Sequence, residues 1–453
     1  MKKKLIIFFT IAVLIFISLP LFNYNVDIAR VFSKSYDLHY KEQLPNELFL
    51  QSQFLMEHPE YTKILFGSSR IGNGIDLTQY DGWYKAWHQG ANLEEHLNTL
   101  KYVLKNGKKI DEVIIAIDYL SFFSKANKTD YFRQNPPLNW KDSIEFYNFY
   151  LFRKPTKKDF KHFFKRDLIS KRKHIFSNEA QSFSREDEYF KNQSMFNPNR
   201  NIDLAIFYKN IEALKEIKTI LEKNNIKISF FINPYHYKNY YGQDIDFISK
   251  YKQELVKIDT YKDCSLLIDN YTVDSKYWID VSHYNKDLGN LILDDIFKNK
   301  NNICKEINKD NVLEINNASI KENFNKLIHL SPNDLKIIPN KNFFNRKILN
   351  YDINKFGNKY IFPDNLFIDF NSKKIFISLE ITIEKPSRIE IIIGKNNFQQ
   401  NFKVFDGFQK VTKDQTVGII LDSKDLKENF LEYKSNEKIK FKKIEIFELK
   451  DLE

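Results

Sequence analysis

Glu112-Val-Ile-Ile-Ala-Ile-Asp118 holds five consecutive apolar residues with no polar alternation between them. A strand of that kind has both faces buried, which is the situation of a strand inside a parallel sheet covered by helices. Ile64-Leu-Phe66 and Lys227-Ile-Ser-Phe-Phe-Ile-Asn233 repeat the pattern in shorter or mixed form. Between these runs the spacing is helical: Leu93, Leu97, Leu100 and Leu104 form one stripe, Ile211 to Leu221 a second, and Leu288 to Phe297 a third. Strands alternating with helices predict an α/β fold with a mostly parallel sheet over about residues 61–300.

With 453 residues the chain has room for two or three domains. Beyond Cys304 the character changes. Residues 374–383, 388–393, 416–421 and 439–447 alternate as strands and are separated by Gly, Asn, Asp and Pro, which predicts an all-β sandwich of roughly a hundred residues. The expected division is an anchor at 1–24, a partly helical connector at 25–60, the α/β domain at 61–300, a linker at 301–345 and the β-sandwich at 346–453. The aromatic and lysine-rich stretch from about 125 to 200 is an insertion expected to pack on the sheet, with a helical lid or a substrate-contacting insert as alternatives.

The N-terminus bears on the compartment. Lys2-Lys3-Lys4 precede an apolar stretch from Leu5 to about Phe22, roughly the length that crosses a bilayer as a helix. Positive charge on this side keeps the N-terminus in the cytoplasm and sends the remainder outside. No small-x-small cleavage pattern stands around Ser18-Leu-Pro-Leu-Phe22, so an uncleaved single-pass anchor is expected. The formal net charge is +11, but lysines are scattered among acids, and no nucleic-acid partner is expected. Cys264 and Cys304 are too few for a disulfide framework; they are expected as unpaired thiols, a single pairing in an oxidising compartment being the alternative. The nine histidines form no His-x-x-x-His or His-Glu-x-x-His pair, so no metal site is expected.

Functional groups of an α/β sheet gather at the carboxyl ends of its strands. Ser69 follows the first apolar run in Gly67-Ser68-Ser69-Arg70, Gly90-Ala-Asn92 precedes a helix, Asp118 ends the second run, and Asn233-Pro-Tyr-His236 ends the third. Asp280-Val-Ser-His283 lies just before the last helix of the region. A serine hydroxyl needs a base at neutral pH, and an imidazole oriented by a carboxylate supplies one, so Ser69, His283 and Asp280 are the expected catalytic residues. The backbone N–H groups of Ser69 and Gly90 are the expected oxyanion donors. Arg70, Asp118 and His236 are expected to contact substrate.

These blocks, in this order, resemble those of the SGNH-type hydrolases, the GDSL esterase superfamily, over about residues 60–300. The Gly-Ser-Ser variant, the Asp118-Tyr-Leu-Ser-Phe122 segment and the apolar N-terminus resemble the branch that includes the D-alanyl transfer protein of teichoic acids and the alginate-type polysaccharide O-acetyltransferases. The resemblance implies a three-layer αβα domain with Ser69 as nucleophile, His283 as base and Asp280 as its orienter. It further implies transfer of an acyl group, acetyl above all, to a hydroxyl of a surface or secreted polysaccharide. No cofactor is implied. The implied partners are that glycan, the inner membrane and an integral-membrane exporter of the acyl donor. Ser68 stands where the family's usual aspartate would be. The family's Gly-x-Asn-Asp block has no match where Ile117-Asp118-Tyr119 stands, which leaves Asn92 as the substitute oxyanion donor. A carbohydrate esterase using water as acceptor and a non-catalytic glycan-binding protein on the same scaffold are the two alternatives.

Overall fold

The computed structural model describes residues 17–33, 46–122, 133–157, 159–160, 176–186, 189–190, 203–241, 244–266, 271–300 and 303–330, together with C-terminal strands between 344 and 449. It is an α/β structure with a mostly parallel sheet and separate antiparallel sheets. The chain divides into two compact units, the first made of Met1–Ser182, Ile202–Asn233 and Gly289–Asn301, the second of Phe183–Asn201, Pro234–Leu288 and Asn302–Glu453.

In the first unit β1 (Lys63–Ser68), β2 (Trp83–His88), β3 (Glu112–Ile117) and β4 (Lys227–Ile232) are parallel in the order β2-β1-β3-β4. The apolar run of β3 is buried throughout from Val113 to Ile117, as its lack of alternation requires. Helices Glu47–Glu57, Leu93–Lys105 and Leu204–Lys223 pack side by side, the middle one touching both others. Asn46, Asn92 and Asp203 cap their N-termini by accepting backbone N–H bonds. Leu93, Leu97 and Leu100 form the buried stripe of the middle helix, but Val103 and not Leu104 completes it.

β2 has no counterpart among the expected strands. Its sequence Trp-Tyr-Lys-Ala-Trp-His carries a lysine in a buried strand, and Lys85 is fully buried. Its three ammonium protons find three carbonyls, Gly72 at 3.0 Å, Ile75 at 2.6 Å and Glu179 at 2.8 Å. Burial pushes the Lys85 pKa down to about 7, against the pull of Asp76 and Glu179.

β1 leads straight into the helix Ser69–Gly74. The helix Lys286–Lys298 approaches it so closely that a Cβ at Gly289 would lie 1.8 Å from the Gly74 carbonyl oxygen. Only glycine allows that contact. Residues 17–26 are helical, while residues 1–16, most of the expected anchor, lie outside the described residues. Among the described residues no helix is long and apolar enough to cross a membrane. Within the expected insertion the helix Trp140–Phe152 packs Phe146 and Tyr150 against Phe49 and Leu50.

In the second unit β5 (Tyr261–Asp263) and β6 (Lys305–Ile307) pair antiparallel. Cys264 and Cys304 flank that pair and form a disulfide, so the expectation of two unpaired thiols is corrected. Their Cα atoms are 4.1 Å apart because the two strands bring their ends together. The helix Val312–Leu330 falls in the stretch expected as a linker.

The C-terminal strands are β7 (Phe344–Lys355), β8 (Lys359–Ile361), β9 (Lys374–Ile383), β10 (Ser387–Ile393), β11 (Asn396–Phe402), β12 (Phe405–Asp406), β13 (Gln409–Lys410), β14 (Asp414–Asp422), β15 (Phe430–Ser435) and β16 (Ile439–Leu449). They form antiparallel sheets of order β14-β9-β16-β7 and β11-β10-β15-β8, with β12–β13 a separate pair. The expected strands coincide with β9, β10, β14 and β16. On β16, Ile444 and Ile446 are buried while Lys443 and Glu445 point the other way and pair at 2.8 Å, the period-two pattern of a half-buried strand.

Candidate functional site

Ser68 and Ser69 divide the end of β1 between them. Ser68 is the N-cap of the helix Ser69–Gly74; its Oγ accepts from the Arg70 N–H at 3.2 Å and donates to Asp118 Oδ2. Arg70 Nη1 donates to Asp118 Oδ1 at 2.8 Å, and Asn233 Nδ2 reaches the same oxygen at 3.4 Å. The ends of β1, β3 and β4 are thus tied through one buried carboxylate. Arg70 and Asp118, expected to contact substrate, are buried and hold one another: their side chains are only 4% and 1% exposed. A buried pair of this kind fixes local geometry, since removing either partner leaves an uncompensated charge. Ser69 is half-buried, with its carbonyl accepting from Asn73 Nδ2 at 2.9 Å. Ser68 is buried with its hydroxyl on Asp118, and Ser69 is the more exposed residue of the two.

After β2 the chain turns through Gly90, whose φ of 62° lies in the left-handed region that glycine tolerates. Asn92 then caps the helix Leu93–Lys105 with a complete capping box: Asn92 Oδ1 accepts from the Glu95 N–H at 2.9 Å, and Glu95 Oε2 accepts from the Asn92 N–H at 3.0 Å. Glu95 also receives His88 Nε2 at 2.9 Å and Arg133 Nη2 at 2.7 Å, and Arg133 Nη2 reaches the Gly90 carbonyl at 2.9 Å. Burial pushes the Glu95 carboxyl up, but His88 and Arg133 outweigh it and hold the pKa at about 2. Asn92 Nδ2 is buried and has no acceptor among the described residues.

The Asp280–His283 loop lies in the second unit. Asp280 Oδ1 accepts from the backbone N–H groups of Ser282 at 2.7 Å and His283 at 2.9 Å, folding the loop back on its carboxylate. His283 Nδ1 lies 2.8 Å from Asp280 Oδ2 and 3.0 Å from Oδ1. The Ile279 N–H donates to the His283 carbonyl at 2.9 Å, and Asn239 Nδ2 donates to the Val281 carbonyl at 3.3 Å. Burial raises the Asp280 pKa, but the His283 side chain and the two backbone donors prevail and hold it below its ordinary value. A carboxylate on Nδ1 fixes the tautomer that leaves Nε2 as a base, and the pair remains partly exposed at 24% and 31%.

His236, expected to meet substrate, is instead a core residue. It is fully buried, stacked on Phe190 at 5.0 Å with the edge of Trp278 at 5.2 Å. Its Nδ1 accepts from the Lys238 N–H at 3.3 Å. Burial, with Lys238 adding, pushes its pKa well below the ordinary value, against Asp280. The imidazole is therefore neutral and enclosed.

The structure thus brings Ser68, Arg70, Asp118 and Asn233 together in the first unit, and Asp280 and His283 together in the second. The supports that sequence reasoning missed are Ser68, Asn233, and the Glu95, His88 and Arg133 cluster beneath Gly90 and Asn92. The Asn92-x-x-Glu95 spacing is itself a capping-box signal. Nothing local marks Arg133, 38 residues away from the carboxylate it pairs with.

No family model matches this sequence, and no curated protein matches it. Matches among solved structures include the capsular polysaccharide assembling protein CapF from Staphylococcus aureus, at 10% identity and a TM-score of 0.15, covering 86% of this chain and 97% of that one. A second crystal form of CapF, in space group C2221, matches at 9% identity and a TM-score of 0.12, covering 86% and 96%. Similarity at these TM-scores carries no argument about fold or function.

Proposed function

We propose that the chain is a membrane-anchored, extracytoplasmic serine O-acyltransferase of SGNH type that acetylates hydroxyls of a surface or secreted polysaccharide. The observation that carries this reading is the Asp280–His283 pair, whose carboxylate receives Nδ1 and leaves Nε2 on a partly exposed ring. Ser69 supports it as a half-buried serine where a buried parallel strand ends. The Cys264–Cys304 disulfide suits an oxidising compartment outside the cytoplasm.

In this mechanism Ser69 Oγ attacks the carbonyl carbon of an acyl donor while His283 Nε2 takes its proton. The leaving group departs with that proton, and an acyl-Ser69 ester remains. A glycan hydroxyl then gives its proton to His283 and attacks the ester, and Ser69 Oγ leaves with the proton returned. Asp280 holds the imidazole and stabilises the imidazolium. The N–H groups of Ser69 and Gly90 and Asn92 Nδ2 are the assigned donors to the oxyanion. The parallel sheet belongs, in this reading, to a three-layer αβα domain, and the two antiparallel sheets to a sandwich that holds the glycan. The acyl donor comes from an integral-membrane exporter.

The test is labelling of the full chain, in detergent, by a serine-directed fluorophosphonate, together with turnover of a chromogenic acetyl ester with and without oligosaccharide. Wild type labels and Ser69→Ala does not; oligosaccharide accelerates ester consumption and becomes acetylated. Ester hydrolysis that no oligosaccharide alters identifies an esterase instead. Equal labelling of wild type and Ser69→Ala, or none of either, defeats the catalytic reading in favour of a glycan-binding protein.

A further inference from the structure

The helix Trp140–Phe152 carries two apolar stripes. Phe146 and Tyr150 are buried in a cluster with Ala29, Val31, Phe49 and Leu50. Trp140, Ile144 and Leu151 recur at helical spacing roughly 120° around the helix from them. Trp140 is 70% exposed and Ile144 52% exposed, which is unusual for side chains of that size on a helix that already has a core face.

A second exposed apolar element adjoins it. In the helical segment 17–26, Ile17, Leu21 and Tyr24 are exposed at 47%, 55% and 56%. Together with Pro20, Leu151 and Phe152 they line an open groove of wholly apolar surface. Asn23 fixes the two elements, its Nδ2 donating to the carbonyls of Leu151 at 2.8 Å and Arg153 at 2.9 Å, the end of the Trp140–Phe152 helix. Phe22 adds a ring contact at 5.0 Å with Phe160, itself 48% exposed.

We propose that this face beds the first unit in the headgroup and upper acyl region of an anionic phospholipid bilayer, extending the membrane contact from the end of the N-terminal span to the helix Trp140–Phe152. Three observations favour lipid over a second copy of the chain or another protein. The exposed segment 17–26 includes the end of the apolar run that begins at Leu5 behind Lys2-Lys3-Lys4, so the face is continuous in sequence with chain of membrane-spanning composition. Its residues are those of an interfacial belt, with Trp, Tyr and Phe at the surface and the Lys141 ammonium 5.6 Å over the Trp140 ring. The sequence 154–173 that follows is strongly basic, with Lys or Arg at most of its charged positions and only Asp159 and Asp167 opposing them.

Trp140 is its own probe, because Trp83 and Trp278 are buried and Trp87 is half-buried. The full chain is reconstituted into vesicles of phosphatidylcholine and phosphatidylglycerol carrying acyl chains brominated either near the headgroup or near the methyl end. Trp140 emission is taken as the difference between wild type and Trp140→Phe. Bromine near the headgroup is expected to quench that emission roughly twofold and bromine near the methyl end less, as for a helix lying in the interface. Ile144→Asp, at an exposed position that leaves the fold intact by circular dichroism, is expected to abolish the quenching, and replacing phosphatidylglycerol by phosphatidylcholine to weaken it. Vesicle-bound protein whose Trp140 is equally bright in brominated and plain lipid overturns the proposal. So does protection of Trp140 by concentration-dependent self-association, which assigns the face to a second copy. Neither readout depends on chemistry at Ser69.

Discussion

At Asn92 the side-chain oxygen caps the helix Leu93–Lys105 while the Nδ2 of the same amide is buried without an acceptor among the described residues. An unpaired buried donor costs on the order of 1–3 kcal/mol, and the proposed mechanism gives this one a partner only in the oxyanion. The two functions separate chemically. Serine is as good an N-cap as asparagine but has no amide to give. Asn92→Ser is therefore expected to change thermal stability by no more than about 1 kcal/mol while lowering turnover of an acetyl ester by on the order of 10²-fold. Melting temperature and kcat measured on the same preparation check this; a parallel loss of both would reduce Asn92 to a cap.

Between elements, Gly289 packs against the Gly74 carbonyl with no room for a side chain. An added methyl at 1.8 Å from a backbone oxygen cannot be absorbed by a rotamer change, so one helix must move. Gly289→Ala is expected to destabilise the chain by about 1–3 kcal/mol in chemical denaturation. It is also expected to depress turnover further than the stability loss accounts for, because it displaces the helix that follows His283; unchanged turnover would show that this packing does not set the site. Sequence made the elements unequally legible for physical reasons. β3 was plain because a strand buried on both faces must be continuously apolar, and β16 was plain because a half-buried strand alternates. β2 was hidden because Lys85 breaks its apolar run, and only the Gly72, Ile75 and Glu179 carbonyls, 13, 10 and 94 residues away, make that lysine acceptable in a core. The site divides the same way: the Asp280–His283 pair is local and could be read directly, whereas the pairing of Arg70 with Asp118 spans 48 residues and the enclosure of His236 depends on Phe190.

Over the whole molecule, reduction and acid act on different features. The second carries the Cys264–Cys304 link, which closes a 40-residue separation and is expected to stabilise the folded state by up to about 4 kcal/mol through the entropy of the unfolded chain. Cys264→Ala Cys304→Ala should therefore lower the denaturation midpoint followed by Trp278 emission, and dithiothreitol should do the same to wild type but not to that variant. The first unit carries an acid-sensitive cluster of its own. Glu95 is held at about 2 where its ordinary value is 4.5, and burial, with the charges of His88 and Arg133, pushes His96 to about 3 from 6.5, against Glu95. Both groups bind fewer protons folded than unfolded, so stability rises with pH across each window. The His96 contribution is complete above about pH 6.5 and is lost toward 3; that of Glu95 is complete above about 4.5 and is lost toward 2, about 3 kcal/mol for a shift of that size. Urea midpoints followed by near-ultraviolet circular dichroism should fall steadily as pH is lowered from 7 to about 3. Glu95→Gln should start from a lower midpoint, having lost its pairing with Arg133, yet show a flatter slope below 4.5, and His96→Gln a flatter slope above it. A double variant with the same pH slope as wild type would place the acid sensitivity elsewhere and remove the argument that this cluster, rather than the glycine turn alone, holds Gly90 and Asn92 in position.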